Sequence, residues 1–206
     1  MSQPIADEML LDPLRRPDAD SLHRLQGRLA HTAADEGLLD IAYRTVDTPV
    51  GTLLLAATAR GLARVAYARE NHDVVLADLA ARISPRILRA PARLEPVVRE
   101  LDEYFAGHRR QFDLPLDLSL AAGFRREVLA HLPEVGYGTT ASYTALAVRS
   151  GRPRAVRAAA SACARNPLPV VLPCHRIVRS DQTLGGYVGG VDAKQTLLTL
   201  EMAGSR

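Results

Sequence analysis

The spacing of hydrophobic residues changes once along the chain, from a pattern typical of strands to one typical of helices. This change limits the fold more than any other feature. Apolar and polar residues alternate in residues 41–46, and residues 51–57 and 62–67 are further short apolar segments, so three antiparallel strands are predicted. Residues 74–83 and 94–105 then have helical spacing. Strands followed by helices predict an α/β chain of the α+β type, with a small amino-terminal antiparallel sheet-plus-helix domain before a mostly helical one.

Three segments are predicted along the chain. Residues 1–40 form an amino-terminal extension, residues 41–113 an α/β domain that supports rather than catalyses, and residues 114–206 a carboxy-terminal domain. Residues 111–117 are predicted to be an extended linker. In the extension, a short amphipathic helix is predicted from the spacing of Leu22, Leu25 and Leu29.

Composition favours a cytoplasmic protein. The sequence has no run of 18 apolar residues, and Met1 to Pro17 carries acidic residues where a secretory signal would be basic and then apolar. Its two cysteines, Cys163 and Cys174, fit a reducing compartment and are too few for a typical zinc site, so no metal is predicted.

Positive charge is concentrated in residues 121–180. Only two acids, Glu127 and Glu134, occur there. The arginines of this region are Arg125, Arg126, Arg149, Arg152, Arg154, Arg157, Arg165, Arg176 and Arg179. This excess predicts contacts with nucleic-acid phosphates, and a solvated arginine-rich surface is the alternative.

Within this region the sequence has the pattern of a helix-turn-helix. Residues 140–149 and 154–165 are predicted helices, separated by the turn Ser-Gly-Arg-Pro at 150–153, and the second helix would enter a DNA groove. Many ordinary helical hairpins have the same pattern. Alanines, including Ala158 and Ala162, give the second helix little bulk, which permits a close approach to the minor groove or, equally, close helix packing.

The sequence Pro-Cys-His-Arg at residues 173–176 lies between two apolar runs. A cysteine nucleophile needs a base or positive charge nearby, and His175 adjoins Cys174. Core packing is the alternative for an isolated pair of this kind.

Three sequence blocks at their observed spacing carry a family resemblance. They are Asn-Pro at 166–167, Pro-Cys-His-Arg at 173–176 and Gly-Tyr-Val-Gly-Gly at 186–190. From about Ile41 to Glu201 the chain resembles the O6-alkylguanine-DNA alkyltransferases, the methylated-DNA–protein-cysteine methyltransferases. The resemblance implies DNA repair by direct reversal, with double-stranded DNA containing alkylated guanine bound through its minor groove, and with no membrane or required protein partner.

The resemblance also implies catalytic roles. Cys174 would accept the alkyl group, His175 would remove the thiol proton through a water molecule, and Glu201 would orient the imidazole. Asn166 would tie the turn to the active-site network. The hydroxyl of Tyr187 would protonate or stabilise the departing guanine.

Further residues are assigned to the pocket and to DNA by the same resemblance. Lys194 would support the active-site backbone, and the carbonyls of Cys174 and Ile177 would accept from the guanine amine. Pro169 and Val188 would line the pocket, and the pair Gly189-Gly190 would let the loop close. The implied DNA contacts are Tyr143, which promotes base rotation, Arg157, which fills the gap left by the extruded base, and the alanines at 158 and 162.

The implied reaction is a single turnover on O6-alkylguanine, and on O4-alkylthymine, without a cofactor, because a thioether is a poor leaving group. Three positions depart from the family pattern: Leu129, Cys163 and Val188. Two other classes of protein fit the sequence less well. A non-catalytic alkyltransferase-like binder lacks the cysteine that this chain has, and a regulator that senses redox state or methylation usually adds a cysteine-rich metal domain.

Overall fold

The computed structural model describes residues 18–204, so the expectation about a secretory signal lies outside the described residues. Asp18 is the N-cap of helix α1 (Ala19–Asp35), and its side chain accepts a hydrogen bond from the backbone N–H of Ser21 at 2.6 Å. The predicted helix is therefore present. It packs through Ala30 and Ala33, while the three leucines of the predicted stripe are exposed.

A four-stranded sheet follows: β1 (Ile41–Val46), β2 (Leu53–Thr58), β3 (Gly61–Tyr67) and β4 (Ile87–Arg89). The strand order is β3-β2-β1-β4. The three predicted strands are antiparallel neighbours, but β4 pairs parallel to β1. The three predicted antiparallel strands are confirmed, but the sheet is mixed, and β4 was not predicted because a three-residue strand is too short to show a period in the sequence.

Helices cover both faces of this sheet. Helix α2 (His72–Arg82) packs on the face that carries Leu54, and α3 (Glu95–Phe105) on the face that carries Leu53 and Leu55. Burial on both faces explains why β2 is apolar without interruption.

An extended segment joins the sheet to the helical half. Leu62 donates its N–H to the Pro115 carbonyl and accepts from the N–H of Asp117, both at 2.8 Å, so the predicted linker runs along β3. A Cβ on Gly61 would lie 2.1 Å from the Pro115 oxygen, so only glycine permits this approach.

The helical half contains α4 (Phe124–Ala130), α5 (Tyr143–Arg149), α6 (Val156–Ala164) and α7 (Val191–Ala203). Two-residue strands, β5 (Ala141–Ser142) and β6 (Ile177–Val178), pair in parallel between them. Helices α5 and α6 and the turn at Gly151 form the predicted helix-turn-helix, each helix a few residues shorter than predicted.

One hydrophobic core runs through both halves. It includes Leu53, Val65 and Leu101 from the first half and Leu129 and Leu172 from the second. Within residues 18–204, no helix is both long and apolar enough to cross a membrane.

Candidate active site

Cys174 begins a single 3₁₀ turn (Cys174–Arg176) that leads into β6. Its side chain is buried, and its sulfur accepts a hydrogen bond from the side-chain amide of Asn166 at 3.2 Å. Burial raises the pKa of the Cys174 thiol to about 11, although the Asn166 hydrogen bond and the Lys194 charge act in the opposite direction. The sulfur is therefore protonated at neutral pH and needs a base to become a nucleophile.

Asn166 holds the loop that presents this sulfur. Its Oδ1 accepts from the N–H of Leu168 at 3.0 Å, and its Nδ2 donates to the Leu172 carbonyl at 2.8 Å. Inside the loop, Val170 has a φ of 73°, a left-handed conformation that is costly for a β-branched residue. The Asn166 hydrogen bonds and the burial of Val170 offset that cost.

The imidazole of His175 is fully buried and pairs with Glu201 through Nε2 and Oε1 at 2.8 Å. Burial lowers the pKa of His175 despite the opposing effect of Glu201, so the ring is neutral at pH 7. With Nε2–H donating to Glu201, Nδ1 is the acceptor, and it has no hydrogen-bond partner among the described residues. His175 thus has a free basic nitrogen.

Glu201, on α7, receives more hydrogen bonds than the sequence indicated. Arg176 donates from Nε to Oε2 and from Nη2 to Oε1, both at 2.9 Å, and the hydroxyl of Tyr104 donates to Oε1 at 2.7 Å. Burial alone would raise the pKa of Glu201, but the hydrogen bonds from His175 and Arg176 outweigh it and lower the pKa to about 2. Glu201 is therefore a carboxylate at neutral pH.

Arg176 and Tyr104 were missed by the sequence reasoning. The sequence could have indicated a paired Arg176, because a cation between two apolar runs must be paired when it is buried. Tyr104 lies on α3, so the predicted supporting domain contributes a side chain that orients the carboxylate of Glu201.

This network leads to a prediction for acid stability. A carboxyl whose pKa falls from 4.5 to about 2 on folding stabilises the protein above pH 4.5, and the stabilisation is lost as the pH drops toward 2. We therefore expect the difference in unfolding free energy between the wild type and Glu201→Gln to shrink by about 3 kcal/mol between those pH values. Urea unfolding across this range measures it, and a constant difference would contradict it.

Lys194 is fully buried and donates from Nζ to the carbonyls of Ile177, at 2.6 Å, and Leu184. It thereby joins the strand after the cysteine to the loop before α7. Burial also lowers the pKa of Lys194.

A cleft of about 540 Å³ opens beside α6. Tyr143, Arg179, Tyr187 and Val188 are among its lining side chains. Pro169 and Ile177 are buried and are not among the residues that line this cleft. Burial raises the pKa of Tyr143 to about 12, so this phenol is protonated at neutral pH.

The exposed face of α6 begins with Arg157 and Ala158. Ala162 is only 2% exposed and packs into the core with Ala159, so its prediction as a DNA contact is corrected. Sequence reasoning could not separate the two faces, because alanine occupies both. Ser161 and Ala164 continue the accessible side toward the cleft.

The second cysteine, Cys163, is free and buried, and burial raises the pKa of its thiol. Among the described residues, no group of three or more His, Cys, Asp or Glu side chains is arranged to hold a metal ion.

A buried thiol with a histidine–glutamate pair, set beside a helix-turn-helix, defines a class of protein: one that modifies DNA with a cysteine nucleophile. Comparisons with known proteins agree. The model of the 6-O-methylguanine DNA methyltransferase ribonuclease-like domain matches residues 41–118, and that of the DNA binding domain of the same proteins matches residues 123–203.

Individual relatives extend this likeness over most of the chain. A methylated-DNA–protein-cysteine methyltransferase of Mycolicibacterium paratuberculosis is 37% identical over 78% of this chain and 92% of its own length. The bifunctional transcriptional activator/DNA repair enzyme Ada of Escherichia coli is 38% identical, over 79% of this chain and 46% of its own length. The crystal structure of Mycobacterium tuberculosis OGT in complex with DNA matches with a TM-score of 0.70 and 33% identity, covering 79% of this chain and 94% of that one.

The chain belongs to the methylated-DNA–protein-cysteine methyltransferase family. The predicted family, fold class and type of reaction, DNA repair by alkyl transfer to a protein cysteine, are thereby confirmed, and the chain is a DNA-binding protein.

Proposed function

We propose that Cys174 is the residue that receives the alkyl group from O6-alkylguanine, and from O4-alkylthymine, in double-stranded DNA. The observation that carries this proposal is the unpartnered Nδ1 of His175, the residue that follows Cys174 in the chain, on an imidazole whose other nitrogen pairs with Glu201. The Cys174 sulfur itself accepts a hydrogen bond from Asn166. The other thiol, Cys163, has no comparable neighbours among its described hydrogen bonds.

The proposal includes a route for the thiol proton. The Cys174 thiol loses its proton, through one water molecule, to Nδ1 of His175. Glu201 then stabilises the imidazolium by its 2.8 Å hydrogen bond. Arg176 and Tyr104 hold the carboxylate in place. Cys174, His175 and Glu201 thus have the roles of the nucleophile, the base and the orienting carboxylate in hydrolytic triads.

Both a side chain and backbone groups recognise the base. Tyr187 donates to the guanine as it leaves, and the carbonyls of Cys174 and Ile177 accept from its exocyclic amine. Lys194 fixes the position of the Ile177 carbonyl. Base specificity thus rests largely on backbone atoms.

DNA contacts place the damaged base in this cleft. Helix α6 enters the minor groove, where Ala158 permits close approach and Arg157 fills the gap left by the extruded base. Tyr143, on the cleft wall, crowds the neighbouring phosphate and promotes its rotation. Extrusion costs a few kcal/mol, and these contacts offset it.

Each molecule acts once, because the thioether that forms is a poor leaving group. Mass spectrometry after reaction with methylated duplex DNA tests the proposal. We expect one added methyl group on Cys174, none on Cys163, and no more than one methyl group removed per protein molecule. Methyl on Cys163, or repeated turnover, would overturn it.

Val188 leads to a prediction about substrate size. Its branched side chain lines the cleft where relatives often have serine or alanine, and it is stiff at χ1. We expect efficient methyl transfer and slower benzyl transfer, with Val188→Ala raising the benzyl-to-methyl rate ratio roughly tenfold. Second-order rate constants for both adducts in both proteins measure it, and an unchanged ratio would show that Val188 points away from the adduct.

A further inference from the structure

Tyr67, the last residue of β3, reaches the cleft loop from the amino-terminal half. Its hydroxyl lies 3.0 Å from that of Tyr187, and the two rings meet edge to face with centroids 5.8 Å apart. Tyr67 is 3% exposed. It is absent from the residues that line the cleft, whereas Tyr187 is among them.

A second contact fixes the same loop. A Cβ on Gly189 would lie 2.5–2.8 Å from three atoms of the Tyr67 ring, so this position accepts only glycine while the ring is in place. The Tyr67 ring therefore packs against the backbone at Gly189, two residues after Tyr187. The Tyr67 hydroxyl contacts the Tyr187 side chain.

We propose that Tyr67 is a positioning residue for alkyl transfer, whose hydroxyl donates to the Tyr187 oxygen and so directs the Tyr187 proton into the cleft. This inference rests on the proposed role of Tyr187 at the departing guanine.

The direction of the hydrogen bond follows from the proposed role of Tyr187 as a proton donor, since either hydroxyl can donate at this distance. Each phenol carries one proton, so only one of the two hydroxyls donates to the other. If Tyr187 donated to Tyr67, its proton would point away from the base. When Tyr67 donates, the Tyr187 proton is free for the base, and the Tyr187 oxygen is stabilised as negative charge develops on it.

The reaction then balances. The sulfur of Cys174 bonds to the alkyl carbon, the bond between that carbon and the guanine oxygen breaks, and its electron pair passes to the guanine. The guanine takes the Tyr187 proton. His175, which holds the former thiol proton, returns it through solvent to Tyr187, so the net products are the thioether and neutral guanine.

Replacing Tyr67 with phenylalanine removes the hydroxyl and keeps the ring against Gly189. We expect the rate constant for alkyl transfer to fall about tenfold, with DNA affinity unchanged. Tyr43→Phe is the matched control, because Tyr43 lies on β1 and packs in a separate cluster, and it should leave the rate unchanged.

A double-mutant cycle separates positioning from a structural role. In a Tyr187→Phe background, Tyr67→Phe should cost nothing further, because there is no hydroxyl left to direct. An equal loss in both backgrounds, or no loss in either, would overturn the inference. If methyl is not found on Cys174 of the unmodified protein, the proposed function fails instead, and this result is obtained independently of Tyr67.

Discussion

Replacing Cys174 with serine is expected to abolish alkyl transfer and to leave the affinity for duplex DNA within about twofold. The hydroxyl is a far weaker nucleophile than a thiolate, and His175 cannot ionise it sufficiently. The fold should persist, since the side chain of Asn166 can donate to the serine oxygen as it does to the sulfur. Methyl transfer from labelled DNA and a binding isotherm measure the two properties.

Cys163→Ser is the matched control. It makes the same chemical change at the other buried thiol and should retain transfer, with a loss of stability as its main effect. Residual transfer in Cys174→Ser comparable with the unmodified protein would refute the assignment of the acceptor.

Removing the side chain of Arg157 or Tyr143 should slow repair of duplex DNA about 10- to 100-fold while changing reaction with the free alkylated base little. The free base needs no extrusion, so only the duplex reaction depends on the groups that promote it. Comparing inactivation rates of Arg157→Ala and Tyr143→Ala on both substrates measures the effect.

Arg154→Ala provides a control for lost positive charge. Arg154 is exposed just before α6 and does not line the cleft, so its loss should leave the ratio of duplex to free-base rates unchanged. If the two test variants lose rate equally on both substrates, Arg157 and Tyr143 serve the pocket or the fold and not extrusion.

Local patterns predicted the fold where they were long enough. The three sheet strands and the helix-turn-helix each span enough residues to show a period, whereas β4 spans three and shows none. The buried and exposed faces of a helix were harder to predict. The spacing of α6 is helical, but its alanines do not indicate that Ala162 is buried and Ala158 exposed.

The site was predictable around the cysteine and not across the molecule. The pairing of His175 with Glu201 and the bridging role of Asn166 were implied by the family resemblance, and the structure has both contacts. The contacts of Tyr104 with Glu201 and of Tyr67 with Tyr187 could not be predicted. In each pair the two residues lie about a hundred or more positions apart in the sequence, and only the folding of the two halves brings them together. Helical spacing does not show which carboxylate Tyr104 contacts.

The shared core and these two tyrosines determine how the chain can be divided. A fragment that begins after residue 113 would lose the hydroxyl that holds Glu201 and would expose the apolar side of α4 and the cysteine loop. Insertion of a foreign domain in the extended segment would pull Pro115 from Leu62 and would separate the same surfaces. We therefore expect that alkyl transfer requires the whole span from β1 to α7, although the two matched family domains divide it.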